Sequence, residues 1–228
     1  MTLDLIIISD AKTPELKAIT QRGIATAHVN ETHIAINPIV IECNRDVQYD
    51  AARTYYQEGS FNYNRYLNYG ASLGTSEYIA FCNNDLHYGS DWAARLVHAL
   101  EMNEIDSVSP YSWISQQTHR SPYKEDTGVH LGLTVKHEFE GWCFVWRRKL
   151  WEEIKLDERV SFWCSDDATV EQLKAIGKSH ALVTHSKVLH YDNGGHTLRT
   201  MPNRKELTTE QAKIFNRLYD KNIENAGR

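Results

Sequence analysis

Leu3–Ser9 is a continuous apolar run, the pattern of a β-strand buried on both faces. Pro14 stands where a helix can begin, and Glu15–Arg22 predicts a short helix ending at Gly23. Ile34–Cys43 reads as a second apolar strand, interrupted by Asn37-Pro38. After a polar stretch, Asn64–Leu73 has helical spacing with Gly74 just beyond it, and Tyr78–Cys82 is a third buried strand. Ser90–Glu101 is the clearest helix: Ser90 is a good N-cap, Asp91 suits the first turn, and Trp92, Leu96, Val97 and Leu100 share one apolar face. Strand and helix alternating in this way predict an α/β fold with a doubly wound parallel sheet.

The second half is less regular. Ser107–His137 is polar and loop-rich, with short strand candidates at Ser107–Tyr111 and Leu131–Lys136. Gly141–Trp146 alternates and predicts a strand, Arg148–Ile154 a helix, Asp166–Ile176 a helix stopped by Gly177, and Ser179–His190 a last strand. From Pro202 onward the chain is polar, with one helical stretch at Thr209–Tyr219. A length of 228 residues suits one α/β domain over 1–200, its halves at 1–106 and 107–200, with a helical arm over 201–228. No period of 20–50 residues repeats.

Charge narrows the function classes. The net charge of −5 argues against broad, non-specific nucleic-acid binding. Acids outnumber bases 14 to 7 in residues 1–114, while residues 115–228 hold 18 bases and 16 acids. That mild basic tilt keeps a local phosphate-contacting face open, around Arg147, Arg148, Lys149, Arg199, Arg204 and Lys205. Cys43, Cys82, Cys143 and Cys164 form no CxxC pair, which excludes a zinc ribbon and predicts reduced thiols. The opening Met1–Lys12 has no basic leader and too short an apolar run for a membrane span, so a soluble, cytoplasmic protein is expected. Aromatics at 11%, with 12 Tyr and 6 Trp, suit a cleft that holds a flat or sugar-like face.

Three polar clusters could carry chemistry. Asn83-Asn84-Asp85 follows the third strand, where open α/β sheets bind ligands; it either forms a turn or offers a carboxylate to a divalent cation on a diphosphate. Ser165-Asp166-Asp167, preceded by Trp163-Cys164, either caps a helix or supplies a general base in an aromatic pocket. His190 ends the last strand before Tyr191-Asp192-Asn193-Gly194-Gly195-His196; it is either a structural histidine or a metal ligand, and the glycines after it would let a loop close.

Taken in order, these runs resemble family 2 glycosyltransferases of the GT-A fold. Asn68-Tyr69-Gly70 resembles that family's Asn-x-Gly helix, Ser76-Glu77-Tyr78-Ile79-Ala80-Phe81 its "geyi-f" strand, and Asn83-Asn84-Asp85 its DxD-type motif, with an aromatic helix from Trp92. Gly141–Glu152 resembles the family's glycine strand and following helix, Leu156-Asp157-Glu158 its "fDE" turn, Ser165-Asp166-Asp167 its "ED" motif, and Val188-Leu189-His190 its late "v-H". The resemblance covers about residues 3–196. Two positions depart from it: only Asp85 supplies a carboxylate at the DxD motif, and the base falls on Asp166 or Asp167 according to how the acidic pair is counted.

The resemblance implies a mostly parallel, Rossmann-like sheet flanked by helices, and an inverting transferase using a nucleoside-diphosphate sugar. Asp85 and His190 would hold Mn²⁺ or Mg²⁺, the imidazole tilting the choice towards Mn²⁺. Asp166 would deprotonate the acceptor hydroxyl, with Asp167 the neighbouring candidate. Ser9, Asp10, Glu42, Asn68, Asn83 and Asn84 would line the donor pocket, and Trp142 and Trp163 would wall the sugar or acceptor. The acceptor could be a glycan or another hydroxyl, a hydroxymethylated base in DNA included. The competing reading is a non-catalytic nucleotide-sugar or glycan-binding module, against which the acidic pair and the late histidine argue. A sugar-1-phosphate nucleotidyltransferase ranks low, because Ser9–Pro14 lacks the glycine-rich basic loop such an enzyme needs.

Overall fold

The computed structural model describes residues 1–190 and 204–222. Among them a nine-stranded sheet runs in the order β3-β2-β1-β4-β8-β6-β9-β5, with β7 paired to β9. The strands are β1 (Thr2–Ser9), β2 (Ala35–Glu42), β3 (Arg53–Tyr56), β4 (Tyr78–Cys82), β5 (Leu86–Tyr88), β6 (Ser107–Tyr111), β7 (Val129–Leu131), β8 (Cys143–Arg147) and β9 (His180–His190). The helices are α1 (Pro14–Val29), α2 (Tyr63–Ser72), α3 (Trp92–Met102), α4 (Trp113–Thr118), α5 (Arg148–Glu153), α6 (Ser165–Ala175) and α7 (Arg204–Tyr219). Strands β3, β2, β1 and β4 are mutually parallel, as the alternating pattern predicts. Strand β8 then runs antiparallel to both β4 and β6, so the sheet is mixed beyond the first half.

The period of two along β1 explains the layers. Leu3, Leu5 and Ile7 join the core under α1 and α3, while Ile6 and Ile8 join the one under α2, α5 and α6. Both faces are covered, so all seven residues of β1 beyond Thr2 are buried, and the run reads as continuously apolar. Pro38 fits inside β2 because β3 pairs only with Ile39–Glu42, leaving β2 without a neighbour on that side at the proline.

Local signals and tertiary packing disagree at several element ends. Helix α1 does not stop at Gly23 but continues to Val29. The glycine is buried where α1 packs against β5, and a Cβ there would stand 3.1 Å from the Leu86 carbonyl oxygen. Ser90 does not cap α3; the cap position is Asp91, in a left-handed conformation with no capping side chain. The buried Glu31 carboxylate accepts instead from Ala93 N–H at 2.9 Å and Ala94 N–H at 3.0 Å, supplying from a distant loop what a local cap would. Glu31→Ala is therefore expected to cost about 1–2 kcal/mol in urea unfolding, and Ser90→Ala less than about 0.5 kcal/mol. The short strands β3 and β5 and helix α4 lie in stretches the pattern leaves as loop, and β7 at Val129–Leu131 replaces the strand expected at Leu131–Lys136, sharing only Leu131 with it.

Helix α7 docks on the domain. Phe215 packs with Val160, Cys164 and Ala168, and the Tyr219 hydroxyl donates to Asp157 at 2.6 Å. At the opposite end of the sheet from the β4–α3 loop, Asp4 is buried and held by Arg148, Ser76 N–H and the Ser76 hydroxyl. Arg147 likewise pairs with Glu101. The basic run at 147–149 thus has two of its three charges engaged within the fold, which removes much of the phosphate-contacting face its composition suggested. Arg199 lies outside the described residues.

Candidate active site

The carboxyl ends of β1, β2 and β4 lie side by side, as their parallel register requires: Ser9 is opposite Glu42, and Ile7 opposite Cys82. A chain of hydrogen bonds joins them. Asn84 donates to the Thr20 hydroxyl at 3.1 Å, Thr20 meets Ser9 at 3.2 Å, Ser9 meets Tyr49 at 2.8 Å, and the Tyr49 hydroxyl donates to Glu42 at 2.6 Å. The other Glu42 oxygen accepts from Ala11 N–H at 3.1 Å and Asn44 N–H at 2.9 Å. Glu42 is fully buried, so its carboxylate ties the loops after β1 and β2 together from below. Asp10 stands apart, exposed and paired with Lys12 at 2.8 Å.

Asn68, expected at the donor, is engaged elsewhere. Its amide donates to the Leu156 carbonyl and the Glu158 carboxylate, and its oxygen accepts from Trp151 and Leu156 N–H. Both donor hydrogens and both acceptor lone pairs have protein partners. The residue pins α2 to the 151–158 segment and has nothing left for a ligand.

Asp85 and His190 meet although 105 positions separate them, because β5 pairs antiparallel with the end of β9 and sets Leu86 opposite His190. His190 Nε2 lies 3.2 Å from Asp85 Oδ1. Among the described residues neither that oxygen nor His190 Nδ1 has a hydrogen-bond partner, although both atoms are buried. An orphaned carboxylate oxygen beside an imidazole nitrogen is a donor set that fits Mn²⁺ or Mg²⁺. Among the described residues no cluster of three metal-ligating side chains occurs. Two protein ligands would leave the other positions to water and phosphate oxygens, the usual arrangement where a cation is shared with a phosphorylated substrate.

Asp166 lies close by. A Cβ on Gly141 would overlap its carboxylate, so only glycine lets β8 begin this close to α6. The N-cap of α6 is Cys164, in a left-handed conformation, and Asp166 sits inside the first turn instead of capping it. Burial, followed by the charge of Asp167, raises the Asp166 carboxyl to about 6. Tyr63 feels the charge of both carboxylates, Asp166 and Asp85, and its hydroxyl donates to Asn83 Oδ1 at 2.8 Å. Burial and the charges of Asp166 and Asp85 hold that phenol well above its ordinary range. Asn83 Nδ2 in turn lies 3.5 Å from His190 Nε2. Asn83, Asp85, His190 and Asp166 thus surround one small region.

The two tryptophans differ. Trp163 is partly exposed and meets Phe162 edge-on, with ring centroids 4.8 Å apart, while Phe162 meets Phe61 at 5.7 Å. This aromatic surface can receive a sugar ring. Trp142 is not an open wall: it is buried and stacked on His190, its indole N–H donating to Glu140. Glu140, Tyr63, Tyr49 and Thr20 have no spacing signal in the sequence, and each enters through a contact made only on folding. Burial pushes the Glu140 carboxyl up to about 7, against the hydrogen bonds from Ser115, Trp142 and Gln116.

No family model and no curated protein matches the chain. Among solved structures it is similar to GalNAc-T7, determined with UDP, GalNAc and Mn²⁺, with a TM-score of 0.61 at 13% identity. The match covers 83% of this chain and 43% of that one, so the chain spans less than half of that protein's length. The fold is GT-A. Within a GT-A fold the region around Asp85 lies beyond the carboxyl ends of the parallel strands, where α/β sheets take their ligands. No helix among the described residues is long and apolar enough to cross a membrane.

Proposed function

We propose that the chain is a metal-dependent glycosyltransferase that moves a sugar from a nucleoside-diphosphate donor to an acceptor hydroxyl with inversion, as family 2 members do. One observation carries the reading: the orphaned Asp85 oxygen beside His190 and the raised Asp166 carboxyl converge on one region, at the end of the sheet where such ligands bind. A binding module needs no base of this kind. UDP is the first nucleotude to test, because the structural neighbour was determined with it.

Asp85 and His190 would hold the cation, which when bound neutralises the diphosphate and stabilises the departing nucleoside diphosphate. Asp166 accepts the acceptor hydroxyl proton as the new bond forms at the anomeric carbon and the carbon–oxygen bond to the diphosphate breaks. A base whose carboxyl is raised to about 6 is ionised at neutral pH yet basic enough to take that proton. Asp167 raises Asp166 by its charge, which favours Asp166 as the base of the pair. Ser9, Asn83 and Asn84 shape the donor side, with Glu42 holding their loops, and the Phe61–Phe162–Trp163 surface receives the acceptor. A glycan fits that aromatic surface; a DNA acceptor loses its main support with Arg147 and Arg148 paired internally.

A screen of nucleotide sugars with Mn²⁺, followed by NMR assignment of the product's anomeric configuration, tests both donor and stereochemistry. Retention would overturn the inverting mechanism. His190→Ala is expected to weaken Mn²⁺ binding at least about tenfold while the melting temperature moves by only a few degrees. A large loss of stability with unchanged Mn²⁺ affinity would make His190 a packing residue.

A further inference from the structure

A metal-ligating histidine normally has its second ring nitrogen fixed by a carboxylate, a carbonyl or a water, which sets the plane of the ring. Among the described residues His190 has no such partner at Nδ1. Its backbone N–H lies 3.4 Å from Ser112 Oγ, a weak contact that does not touch the ring. The strongest remaining constraint is the Trp142 indole, stacked on the imidazole with centroids 5.4 Å apart and planes 23° from parallel. Trp142 is anchored in turn, its Nε1–H donating to Glu140 Oε2.

Glu140 is 2% exposed and receives more than the indole. Ser115 Oγ lies 2.9 and 3.0 Å from its two oxygens, and Gln116 Nε2 donates at 2.6 Å. Its own N–H donates to Ser109 Oγ at 3.1 Å. Helix α4 therefore clamps the carboxylate on one side, and the carboxylate clamps the indole on the other. Burying a carboxylate is costly unless several donors satisfy it, and an apolar residue would fill this place at less cost if packing alone were needed.

We propose that Glu140 is a positioning residue that acts through Trp142: it sets the plane of the His190 imidazole so that Nε2 converges with Asp85 on the cation. The role rests on the metal-dependent reading above, but its first test does not. In the metal-free protein the stacked indole shifts the His190 ring protons upfield in the NMR spectrum. Glu140→Ala is expected to lose most of that shift, and Glu140→Gln, which can still accept from the indole, to keep at least half of it.

The second readout is Mn²⁺ affinity by calorimetry in the presence of UDP. Glu140→Ala is expected to lose about 10–100-fold, the range typical of residues that orient metal ligands. Trp142→Phe, which keeps an aromatic ring but cannot donate to Glu140, serves should the alanine variant not fold, and is expected to lose at least about tenfold. An unchanged ring shift in Glu140→Ala overturns the proposal, as does Mn²⁺ affinity within twofold of wild type in either variant. Absence of Mn²⁺ binding by the wild-type protein counts against the metal reading itself, and the ring shift still decides whether Glu140 orients the imidazole.

Discussion

Replacing Asp166 with asparagine is expected to slow sugar transfer at least about a hundredfold, the lower end of what general-base catalysis contributes, and at the same time to raise the melting temperature. The two effects have one cause. Asp166 stands against Gly141 beside Tyr63 and Asp167, and its carboxyl is raised from 3.8 to about 6. A carboxyl raised on folding adds stability below its unfolded pKa and loses it as pH climbs through the folded value, so at pH 7 the ionised group burdens the fold. A difference of about two pKa units corresponds to about 3 kcal/mol. Partial exposure of the group screens this to about 1–2 kcal/mol. Asparagine removes the burden, and for a chain of this size the gain is roughly 2–8 °C. The wild-type rate should rise with pH, half-maximal near 6, as the base ionises. A residue that merely started α6 would give the opposite pair of results: normal transfer and no gain in stability. Asp167→Asn is the matched control, with a smaller loss of rate because it acts through the charge it places beside Asp166.

Asp85→Ala is expected to lower metal-dependent turnover by at least about a thousandfold, the equivalent of the several kcal/mol a cation contributes on a leaving phosphate. Asp85 is the one carboxylate of the Asn83-Asn84-Asp85 run, and its Oδ1 lies 3.2 Å from His190 Nε2. Removing it leaves His190 as the sole protein ligand of the pair. The fold should survive, because Asp85 Oδ1 makes no hydrogen bond among the described residues. Initial rates against Mn²⁺ concentration, with thermal unfolding in parallel, check both halves. Unchanged metal dependence would remove Asp85 from the site.

The layout of the sheet and the two sides of the site were legible for different reasons. Strands β1, β2 and β4 are buried on both faces, so they appear as apolar runs that need no partner to be recognised. Strands β3, β5 and β7 are three or four residues long, and no periodicity can develop over that length. Gly23 and Ser90 carried local signals that tertiary contacts override: the approach of α1 to Leu86 in one case, the reach of Glu31 to α3 in the other. Asp85, Asp166 and His190 could be read because motif order marks them as strand ends and helix starts. Asn68 shows the limit of that method, since its position matched a motif while its side chain is fully engaged by the 151–158 segment. Trp142 shows it again, an aromatic in the right place that packs on an imidazole and not on a ligand. Glu140 and Tyr63 were invisible because a buried polar network has no spacing of its own.

The central claim is that this end of the sheet turns over a nucleoside-diphosphate sugar through a cation held by Asp85. The most direct measurement is release of nucleoside diphosphate from a panel of nucleotide sugars, with Mn²⁺ or with EDTA, by the wild-type protein and by Asp85→Ala. The account predicts that at least one donor is consumed with Mn²⁺, that EDTA stops the reaction, and that the variant is inactive on the same donor. Consumption that persists in EDTA or in Asp85→Ala, or a panel in which no donor is consumed, would contradict it.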